Sequence, residues 1–471
     1  MPTASIGLSV ESLPKLVYHL PLMKGVYIQT YGCQMNVSDS DRMEAILDSI
    51  HYETVKTPQD ADLVLVNTCS IREKAENKMS SFAHELKSLK SQKPGMLLGV
   101  TGCVAQQEKE QILKELPFVD LVLGPDNIDE LPWALEKLNE DKSTPILRTE
   151  FDQESRVWES KTLIKNPGPS EFISVMKGCD HYCSYCIVPW TRGRERSRTI
   201  DSIIEDTRRL VNKGVREITF LGQNINTFGK RNNESLHELF YRAHEIDELR
   251  RIRFTTSHPG DLQDELIQCY VDLPKLCSYF HLPVQSGSDK ILRAMRRFYT
   301  VEQYMEKVEK LKKARPDIAL SSDIIVGFPG ETDEDFRKTL EVVKASRYDN
   351  LYSFAYSPRP GTSASTRNNQ ISELEKKSRL MELQNLARQI SKESHQQWEG
   401  QKIEIMLEGP SKKNPQFWTG RSSQNIPVHL AAKAGMKPGD FVLVNVVEGT
   451  LTHLMATLTN AASHKQPDLS N

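Results

Sequence analysis

Short apolar, β-rich runs alternate with amphipathic helical patterns along residues 24–140. The predicted strands are residues 26–32, 63–69, 96–103 and 121–124, and the predicted helices are residues 38–50, 72–90, 105–116 and 127–139. Continuous apolar strands that alternate with helices are typical of a parallel sheet covered on both faces. The first unit of this α/β protein is therefore predicted to be an open parallel α/β sandwich.

The alternation resumes after residues 141–170, a polar, proline-containing segment that is predicted to be a linker. Six further strands are predicted, at residues 172–178, 217–224, 251–259, 279–287, 318–328 and 350–358. Six βα repeats can curve into a partial barrel whose active site lies at the carboxyl ends of the strands. Because a charged helical stretch follows at about residues 371–398, a partial (β/α)6 barrel is predicted over residues 171–398.

The pattern changes to short strands separated by glycine and proline in residues 399–460. Several short strands with turn signals between them favour a small β-barrel of OB-like type. Residues 1–23 are predicted to be an amino-terminal extension, and residues 461–471 a disordered tail. The chain is thus expected to contain three domains, in keeping with its 471 residues.

Charge and apolar content limit the partners. The net charge is −2, so a nucleic acid must be held by local basic patches. No run of about 18 apolar residues is present, and residues 1–23 lack the pattern of a signal peptide. We therefore expect no membrane association and a cytoplasmic location, where thiols stay reduced and clustered cysteines indicate metal binding or catalysis.

Three cysteines share one edge of the first predicted sheet. Cys33, Cys69 and Cys103 each lie at the carboxyl end of a predicted strand, where open parallel sheets bind ligands. Neighbouring strands are about 4.8 Å apart, which would bring the three thiols within roughly 10 Å. The alternative is three unrelated buried cysteines, because an unmodified cysteine is a common core residue.

A second trio, Cys179, Cys183 and Cys186, has the spacing C-x3-C-x2-C and follows the first barrel strand, so it lies at the barrel mouth. Structural zinc usually takes four ligands, and His181 is the only nearby candidate for the fourth. Clusters that only transfer electrons are commonly held by four cysteines. Three thiolates on a four-iron cubane leave one iron open for a substrate or cofactor, and this interpretation is favoured over the other two.

The C-x3-C-x2-C motif at the end of the first barrel strand resembles the radical S-adenosylmethionine superfamily. Further motifs occur in the order of its methylthiotransferase family, cover about residues 24–460 and are most similar to the tRNA-modifying branch. They are "YGCQMN", "NTCSIREKAENK", "TGCVAQ", "GCDHYCSYCIVPWTRGRERSR", "LGQNIN", "HLPVQSGSDKIL", "DIIVGFPGET" and "YSPRPGT". The final barrel is similar to the TRAM RNA-binding domain of that family.

This resemblance implies two [4Fe–4S] clusters, one on each cysteine trio, and S-adenosylmethionine as a cofactor. In the family, one electron cleaves S-adenosylmethionine to methionine and a 5′-deoxyadenosyl radical, while the amino-terminal cluster holds the sulfur to be methylated and delivered. The expected reaction uses two molecules of S-adenosylmethionine, one as methyl donor, and adds a methylthio group to carbon 2 of N6-isopentenyladenosine at tRNA position 37. Alternative substrates are threonylcarbamoyladenosine in tRNA and an aspartate side chain of a ribosomal protein.

The expected reaction must break an unactivated C–H bond at carbon 2 of an adenine ring. Side-chain bases titrate between about 4 and 10 and cannot deprotonate an unactivated ring carbon, whereas a carbon-centred radical can remove the hydrogen atom. The difficult step then belongs to the cofactors, and no side chain is assigned as catalytic. Expected partners are the tRNA anticodon loop, an electron-donor protein of flavodoxin or ferredoxin type and a sulfur donor, and the chain is expected to be a monomer. A non-catalytic iron–sulfur RNA sensor is the alternative from another class.

Five residues are candidates for binding S-adenosylmethionine. Tyr185 occupies the position before the last cysteine, which in the superfamily commonly packs on the adenine. The other four lie at predicted strand ends, where capping of the following helices is the competing explanation. They are Gln223, Asn224, Ser322 and Asp323.

Candidate RNA-binding residues lie in two places. The strip "TRGRERSR" borders the barrel mouth, and its arginines are predicted to contact phosphates of the anticodon loop, although a solvated surface strip is the alternative. The C-terminal domain offers aromatic and polar side chains of the kind that bind single-stranded RNA, but residues 399–448 contain only six Lys/Arg against five Asp/Glu, so the domain is expected to assist binding. The candidates are Arg192, Arg194, Arg196, Arg198, Phe417, Trp418, Arg421 and Asn425.

Four more chemistry-bearing residues carry no motif. Cys269 and Cys277 are predicted to be buried structural cysteines. His258 and His281 lie near strand ends and are predicted to pack or hydrogen-bond rather than to bind a ligand.

Overall fold

The structure is a computed structural model that describes residues 23–70, 73–151, 158, 162 and 164–459. Side chains of residues 73–77 and 80 are also outside the description. The predicted amino-terminal extension, apart from Met23, and the predicted tail lie outside the described residues. Within the described residues, no helix combines the length and the apolar character needed to cross a membrane.

The amino-terminal domain is a six-stranded parallel sheet with the strand order β2-β1-β3-β4-β5-β6. Its strands are β1 (Lys24–Tyr31), β2 (Tyr52–Thr54), β3 (Leu63–Thr68), β4 (Leu97–Gly102), β5 (Leu121–Leu123) and β6 (Ile146–Arg148). Its helices are α1 (Gln34–Asp48), α2 (Glu73–Gln92), α3 (Cys103–Glu108), α4 (Glu110–Glu115) and α5 (Leu131–Glu140). Every residue of β3 and β4 is buried, because helices cover both faces of the sheet.

The predicted open α/β sandwich is therefore confirmed, with two additions. Strands β2 and β6 are only three residues long, too short to produce a recognisable apolar pattern. Strand β6 pairs in parallel with β5 and lies within residues 141–170, which were predicted to be a linker. The sheet therefore continues past residue 140, where the sequence pattern placed the domain boundary.

The second domain is a partial barrel built from two three-stranded parallel sheets, ordered β11-β10-β7 and β12-β13-β14 and joined by a parallel bridge between Ile252 and Leu276. The strands of this domain are β7 (Ser170–Ser174), β8 (Met176–Lys177), β9 (Arg196–Ser197), β10 (Glu217–Leu221), β11 (Arg251–Thr255), β12 (Tyr279–His281), β13 (Ala319–Val326) and β14 (Asn350–Ala355). The six principal strands match the six predicted ones. The short β8 and β9 pair antiparallel and enclose the C-x3-C-x2-C segment.

Amphipathic helices cover the outside of the partial barrel. They are α7 (Ile200–Asn212), α8 (Leu236–His244), α9 (Asp264–Asp272), α10 (Asp289–Ala294), α11 (Val301–Ala314), α12 (Asp333–Ser346) and α13 (Glu373–Gln396), while the short α6 (Val188–Arg192) lies in the cysteine loop and packs against α3. Local sequence fixes where several of them begin. Ser235, Thr300 and Thr332 each close a capping box at the start of α8, α11 and α12, in which the side chains of the capping residue and of the third helical residue each accept a backbone N–H.

The C-terminal domain is a closed five-stranded barrel with the order β15-β16-β17-β19-β18. Its strands are β15 (Lys402–Pro410), β16 (Phe417–Ser422), β17 (Pro427–Ala431), β18 (Phe441–Gly449) and β19 (Leu454–Leu458). Alternate residues of β15 and β17, such as Ile405 and Val428, point into an apolar interior. The predicted small β-barrel is confirmed.

The turn between β16 and β17 lies against the amino ends of the partial-barrel strands. Arg251, the first residue of β11, donates to the Arg421 carbonyl at 2.7 Å, and Arg253 donates to the Ser422 carbonyl at 2.7 Å. The Ser278 N–H, just before β12, donates to the Ser423 hydroxyl at 2.9 Å. The C-terminal barrel is therefore attached at the end of the partial barrel opposite the cysteine loop.

Buried ion pairs join the amino-terminal sheet to the partial barrel. Asp126 follows β5, and its side chain is only 3% exposed. It pairs with Lys177 at 2.7 Å and with Arg196, both of which lie in the hairpin around the cysteine loop. Removal of one partner from a buried pair is costly because the remaining charge stays buried.

We expect Asp126→Asn to lower the free energy of unfolding by about 3 kcal/mol, since two buried cations would lose their carboxylate. Urea unfolding followed by tryptophan fluorescence is a suitable measurement, because Lys177 also lies over the Trp158 ring at 4.9 Å. Asp129→Asn is the matched control, since Asp129 pairs with Arg42 but its side chain is 61% exposed. We expect a loss below about 1 kcal/mol there, and equal losses in the two variants would contradict the prediction.

Candidate active site

The amino-terminal trio lies where three neighbouring strands end. Cys33 precedes α1 directly after β1, Cys69 follows β3, and Cys103 is the first residue of α3 after β4. Because β1, β3 and β4 are adjacent in the sheet, the three cysteines meet at one edge, as the sequence pattern predicts. The Cys69 N–H also donates to the Tyr31 carbonyl at 2.9 Å, which extends the β1–β3 ladder to the cysteine itself.

A glycine before Cys103 allows this close approach. Gly102 has φ = 87°, a conformation that other residues adopt at a cost. A Cβ at this position would lie 2.3 Å from Oδ1 of Asn67, a buried side chain that donates to the Asn36 carbonyl at 2.8 Å. The glycine of "TGC" is thus required both by its backbone and by its neighbours.

The environment of the amino-terminal trio favours thiolate at one position. A hydrogen bond with the Cys69 side chain lowers the pKa of Cys33 to about 6, although burial opposes the shift, and the Arg192 guanidinium also lowers it. Burial raises the pKa of Cys103, and the positive charge of Arg192 acts against that rise. Thiolates bind metal, so an arginine beside the trio favours the metal-binding form.

The second trio lies in the loop between β8 and β9, near the carboxyl end of β7. The Cys179 N–H donates to the Gly193 carbonyl at 3.2 Å, and the Cys186 N–H donates to the Cys183 carbonyl at 3.0 Å. Burial raises the pKa of Cys186 to about 12 and that of Cys179 even further. A bound metal would supply positive charge that favours the thiolate form of both cysteines against the effect of burial.

Cys183 also contacts an arginine that the sequence analysis overlooked. Nη1 of Arg297 lies 3.8 Å from the Cys183 thiol, while its other nitrogens donate to the Pro283 carbonyl at 2.7 Å and the Tyr299 hydroxyl at 3.0 Å. Arg297 is fully engaged and buried. Its sequence context, "RAMRRFY", carries no spacing signal that relates it to the cysteines.

One compact group of possible metal ligands lies beside the second trio. Among the residues described by the structure, one group of three ligands has all its ligand atoms within 4.8 Å of one another, and it consists of His181, His258 and Asp261. His181, the possible fourth zinc ligand, is held by Asp261 at 2.5 Å. His181 therefore already has a carboxylate partner.

The residues around His181 form a polar wall beside the second trio. The His181 ring stacks on His258 with centroids 3.9 Å apart, and Asn224 donates to Asp261 at 2.8 Å. His258 packs and hydrogen-bonds as predicted, since its Nδ1 accepts the Gly260 N–H at 3.1 Å, but its Nε2 is buried without a hydrogen-bond partner, as are Oδ1 of Asn224 and Oε1 of Gln223. Buried polar atoms without partners mark a place where a polar ligand would be bound favourably.

The other predicted S-adenosylmethionine ligands divide into two groups. Tyr185 is half-buried against an apolar cluster near Cys183, and Asp323 is half-buried, with Oδ1 3.6 Å from His281. Both remain predictions. Ser322 is a correction: its hydroxyl is fully buried, donates to the Leu282 carbonyl and accepts from the Val284 N–H, each at 2.9 Å, and so joins β12 to β13.

The arginine strip is mostly internal, which corrects its prediction as an RNA contact surface. Arg192 pairs with Asp39 at 2.7 Å, Arg196 with Asp126, and Arg198 with Asp206 at 2.6 Å, and all three are buried. These three cannot reach a phosphate. Arg194 is different, because its side chain is 70% exposed and Nε lies 3.5 Å from Asp180. It remains a predicted phosphate contact.

The C-terminal candidates have structural contacts of their own. Trp418 packs against the barrel core, and Phe417 is half-buried. Arg421 donates to Glu408 at 2.7 Å and to the Asn425 carbonyl at 3.2 Å, within the turn that faces the partial barrel. The Arg421 side chain is 30% exposed and its bonds lie within the C-terminal barrel, so Arg421, Asn425, Phe417 and Trp418 all remain predicted RNA contacts.

The predicted structural cysteines are buried. Cys269 and Cys277 have exposures of 0% and 3%, and the Cys269 thiol donates to the Glu265 carbonyl at 3.5 Å. His281 accepts from or donates to the Ser321 hydroxyl at 2.8 Å. These residues have the packing and hydrogen-bonding environments that the sequence predicts for them.

Two family models match the chain. Residues 173–343 match the Radical SAM superfamily, and residues 25–124 match a family described as Uncharacterized protein family UPF0004. The first match covers most of the partial barrel and the second covers the first five strands of the amino-terminal sheet. Each match contains one of the two cysteine trios.

Relatives match over nearly the whole chain. The tRNA-2-methylthio-N(6)-dimethylallyladenosine synthase of Myxococcus xanthus (strain DK1622) is 45% identical over 436 residues, 92% of this chain and 93% of that protein. The protein of the same name from Jannaschia sp. (strain CCS1) is 42% identical over 460 residues, 97% of each. Among solved structures, the radical S-adenosylmethionine methyltransferase TsrM from Kitasatospora setae is similar in fold, with a TM-score of 0.56 at 15% identity over 73% of this chain and 77% of that one. At these identities and coverages, the chain belongs to the family of tRNA-2-methylthio-N(6)-dimethylallyladenosine synthases.

Proposed function

We propose that this protein is a tRNA methylthiotransferase that converts N6-isopentenyladenosine at position 37 to its 2-methylthio derivative. The observation that carries the proposal is the pair of cysteine trios at the carboxyl ends of strands in two joined parallel domains. Family membership supports the substrate class, since the relatives are named for this nucleoside. Two [4Fe–4S] clusters and S-adenosylmethionine are the proposed cofactors.

The six cysteines are the proposed cluster ligands, three to each cluster, which leaves one iron of each without a protein ligand. When bound, these cofactors would pass on an electron from an external donor, supply the radical chemistry that breaks an unactivated C–H bond, and provide the sulfur that replaces the hydrogen. The chain positions them and excludes water, because every cysteine is buried or half-buried. The ligands are Cys33, Cys69, Cys103, Cys179, Cys183 and Cys186.

The polar wall at the barrel mouth is the proposed S-adenosylmethionine site. The partnerless atoms of Gln223, Asn224 and His258 would bind the polar groups of the cofactor, and Tyr185 would pack on its adenine. Asp323 would contribute a carboxylate from β13. A cofactor bound by these residues would lie beside the second trio, where one iron would have no protein ligand.

The substrate and partners follow from the same chemistry. The anticodon loop would approach the barrel mouth, with Arg194 as a phosphate contact and with stacking on Phe417 or Trp418 in a supporting role. A flavodoxin or ferredoxin type protein would supply electrons, and a separate donor would replace the sulfur that each turnover consumes. We propose a cytoplasmic location, where its tRNA substrate occurs, and a monomer.

Mass analysis of tRNA nucleosides from cells that lack this protein tests the proposal. We expect N6-isopentenyladenosine to accumulate and its 2-methylthio form to disappear, with full recovery when the wild-type chain is restored. Unchanged 2-methylthio-N6-isopentenyladenosine would overturn the proposal. Loss of methylthiolated threonylcarbamoyladenosine instead would show that the protein modifies the other nucleoside.

A further inference from the structure

A buried arginine of the second domain reaches the cysteine trio of the first. Arg192 is the last residue of α6, a short helix that begins two residues after Cys186. Its side chain is 5% exposed, and Nη2 donates to Oδ2 of Asp39 at 2.7 Å. Asp39 lies in α1, which begins directly after Cys33. The guanidinium therefore crosses the domain boundary to the edge of the amino-terminal sheet.

Three negative or potentially negative groups surround this guanidinium. Burial alone would lower the pKa of Arg192, but Asp39 and the thiols of Cys103 and Cys33 raise it well above its usual value. Arginine stays protonated, and besides the bond to Asp39 its side chain makes a hydrogen bond with the Cys103 thiol. The Asp39 carboxylate balances the charge of the guanidinium, while a further N–H donor faces the sulfur of Cys103. A metal-loaded, thiolate form of the trio would therefore benefit from this positive charge.

Backbone contacts tie the same arginine to the second trio. The carbonyl of Gly193, the next residue, accepts the Cys179 N–H at 3.2 Å. Helix α6 also packs against α3, whose first residue is Cys103. Through Arg192 and Gly193, one short segment thus contacts both trios, and neither contact is made by a mobile surface side chain.

We propose that Arg192 is a positioning residue that fixes the amino-terminal trio relative to the C-x3-C-x2-C loop and stabilises the extra negative charge of the cluster held there when it is reduced. The inference rests on the proposed assignment of Cys33, Cys69 and Cys103 as cluster ligands. A positive charge close to a cluster favours its reduced, more negative state, and a carboxylate beside it does the reverse. Arg192 and Asp39 should therefore act on the reduction potential in opposite directions.

The test measures the reduction potential of the amino-terminal cluster by itself. A Cys183→Ala background of the full chain would retain only that cluster, and a redox titration followed by electron paramagnetic resonance needs neither S-adenosylmethionine nor turnover. We expect Arg192→Gln to lower the reduced-to-oxidised ratio at fixed poise about tenfold, which is about 59 mV for one electron. Asp39→Asn should raise the ratio, and Arg192→Lys should lie between Gln and the parent.

Arg242→Gln is the matched control, because Arg242 lies on the outer helix α8, pairs with Asp201 and is 46% exposed. Its potential should equal that of the parent. Equal potentials for Arg192→Gln and Arg242→Gln would overturn the inference. If Arg192→Gln loses its iron altogether, Asp39→Asn and Arg192→Lys decide, and no shift in either would also overturn it.

Iron content separates this inference from the proposed function. Absence of iron in the Cys183→Ala parent would overturn the ligand assignment itself, and the inference with it. About four irons per chain together with an unchanged potential in the arginine variant would overturn only the role of Arg192.

Discussion

Cys183→Ala is expected to abolish the release of 5′-deoxyadenosine from S-adenosylmethionine and to reduce the iron content of the anaerobically reconstituted chain from about eight to about four per molecule. Only two of the three cysteine ligands of the second cluster would remain. The fold should survive, because Arg297 keeps its bonds to the Pro283 carbonyl and the Tyr299 hydroxyl. The measurements are iron analysis and liquid chromatography of the nucleoside under strong reductant.

Cys269→Ser provides the control for this variant. The Cys269 thiol donates to the Glu265 carbonyl within α9, and a serine hydroxyl can make the same bond. We expect its iron content and 5′-deoxyadenosine release to match those of the wild type. Retention of normal release by Cys183→Ala would contradict the assignment of the second trio as the site of cofactor cleavage.

Cys69→Ala is expected to separate the two activities. Release of 5′-deoxyadenosine should stay within about twofold of the wild type, because the second trio and the polar wall are untouched, whereas methylthiolated product should be absent. Iron should again fall to about four per chain. The backbone bond from residue 69 to the Tyr31 carbonyl does not involve the side chain, so the end of β3 should keep its position.

Parallel assays of both products on the same preparation make this prediction decisive. A Cys69→Ala chain that forms methylthiolated nucleoside at normal yield would show that the amino-terminal trio does not deliver sulfur. A chain that loses both activities would indicate that the two trios depend on each other structurally. Circular dichroism of the variant would then show whether the amino-terminal sheet remains folded.

The sequence predicted the placement of both trios because that placement depends on local patterns. Apolar runs typical of buried strands end at Cys33, Cys69 and Cys103. Because the strands are adjacent and parallel, these ends lie close together. The spacing of the second trio is contained in eight residues. In both cases the chemistry follows from residues that are close in sequence or at equivalent strand ends.

The prediction that the arginine strip contacts RNA was wrong for three of its four arginines, because their burial depends on residues that are distant in sequence. Arg192, Arg196 and Arg198 alternate with glycine, glutamate and serine, a pattern typical of solvated surfaces. Their burial depends on aspartates at distant positions in the chain, and no local pattern reveals such pairs. The prediction for Ser322 was wrong for the same reason. Its hydrogen-bond partners, Leu282 and Val284, follow the neighbouring strand β12 and are about 40 residues away in sequence.

The contacts between the C-terminal barrel and the partial barrel limit the exchange of single domains between related proteins. In the turn at residues 422–425, backbone carbonyl groups accept hydrogen bonds from Arg253, whose side chain is buried between the two barrels. A chain shortened to residue 398 would exchange those carbonyl acceptors for water and expose the amino ends of the partial-barrel strands, so the partial barrel would lose the packing that this interface provides. Chimeras between relatives should therefore transplant this turn together with the strand that carries the arginine.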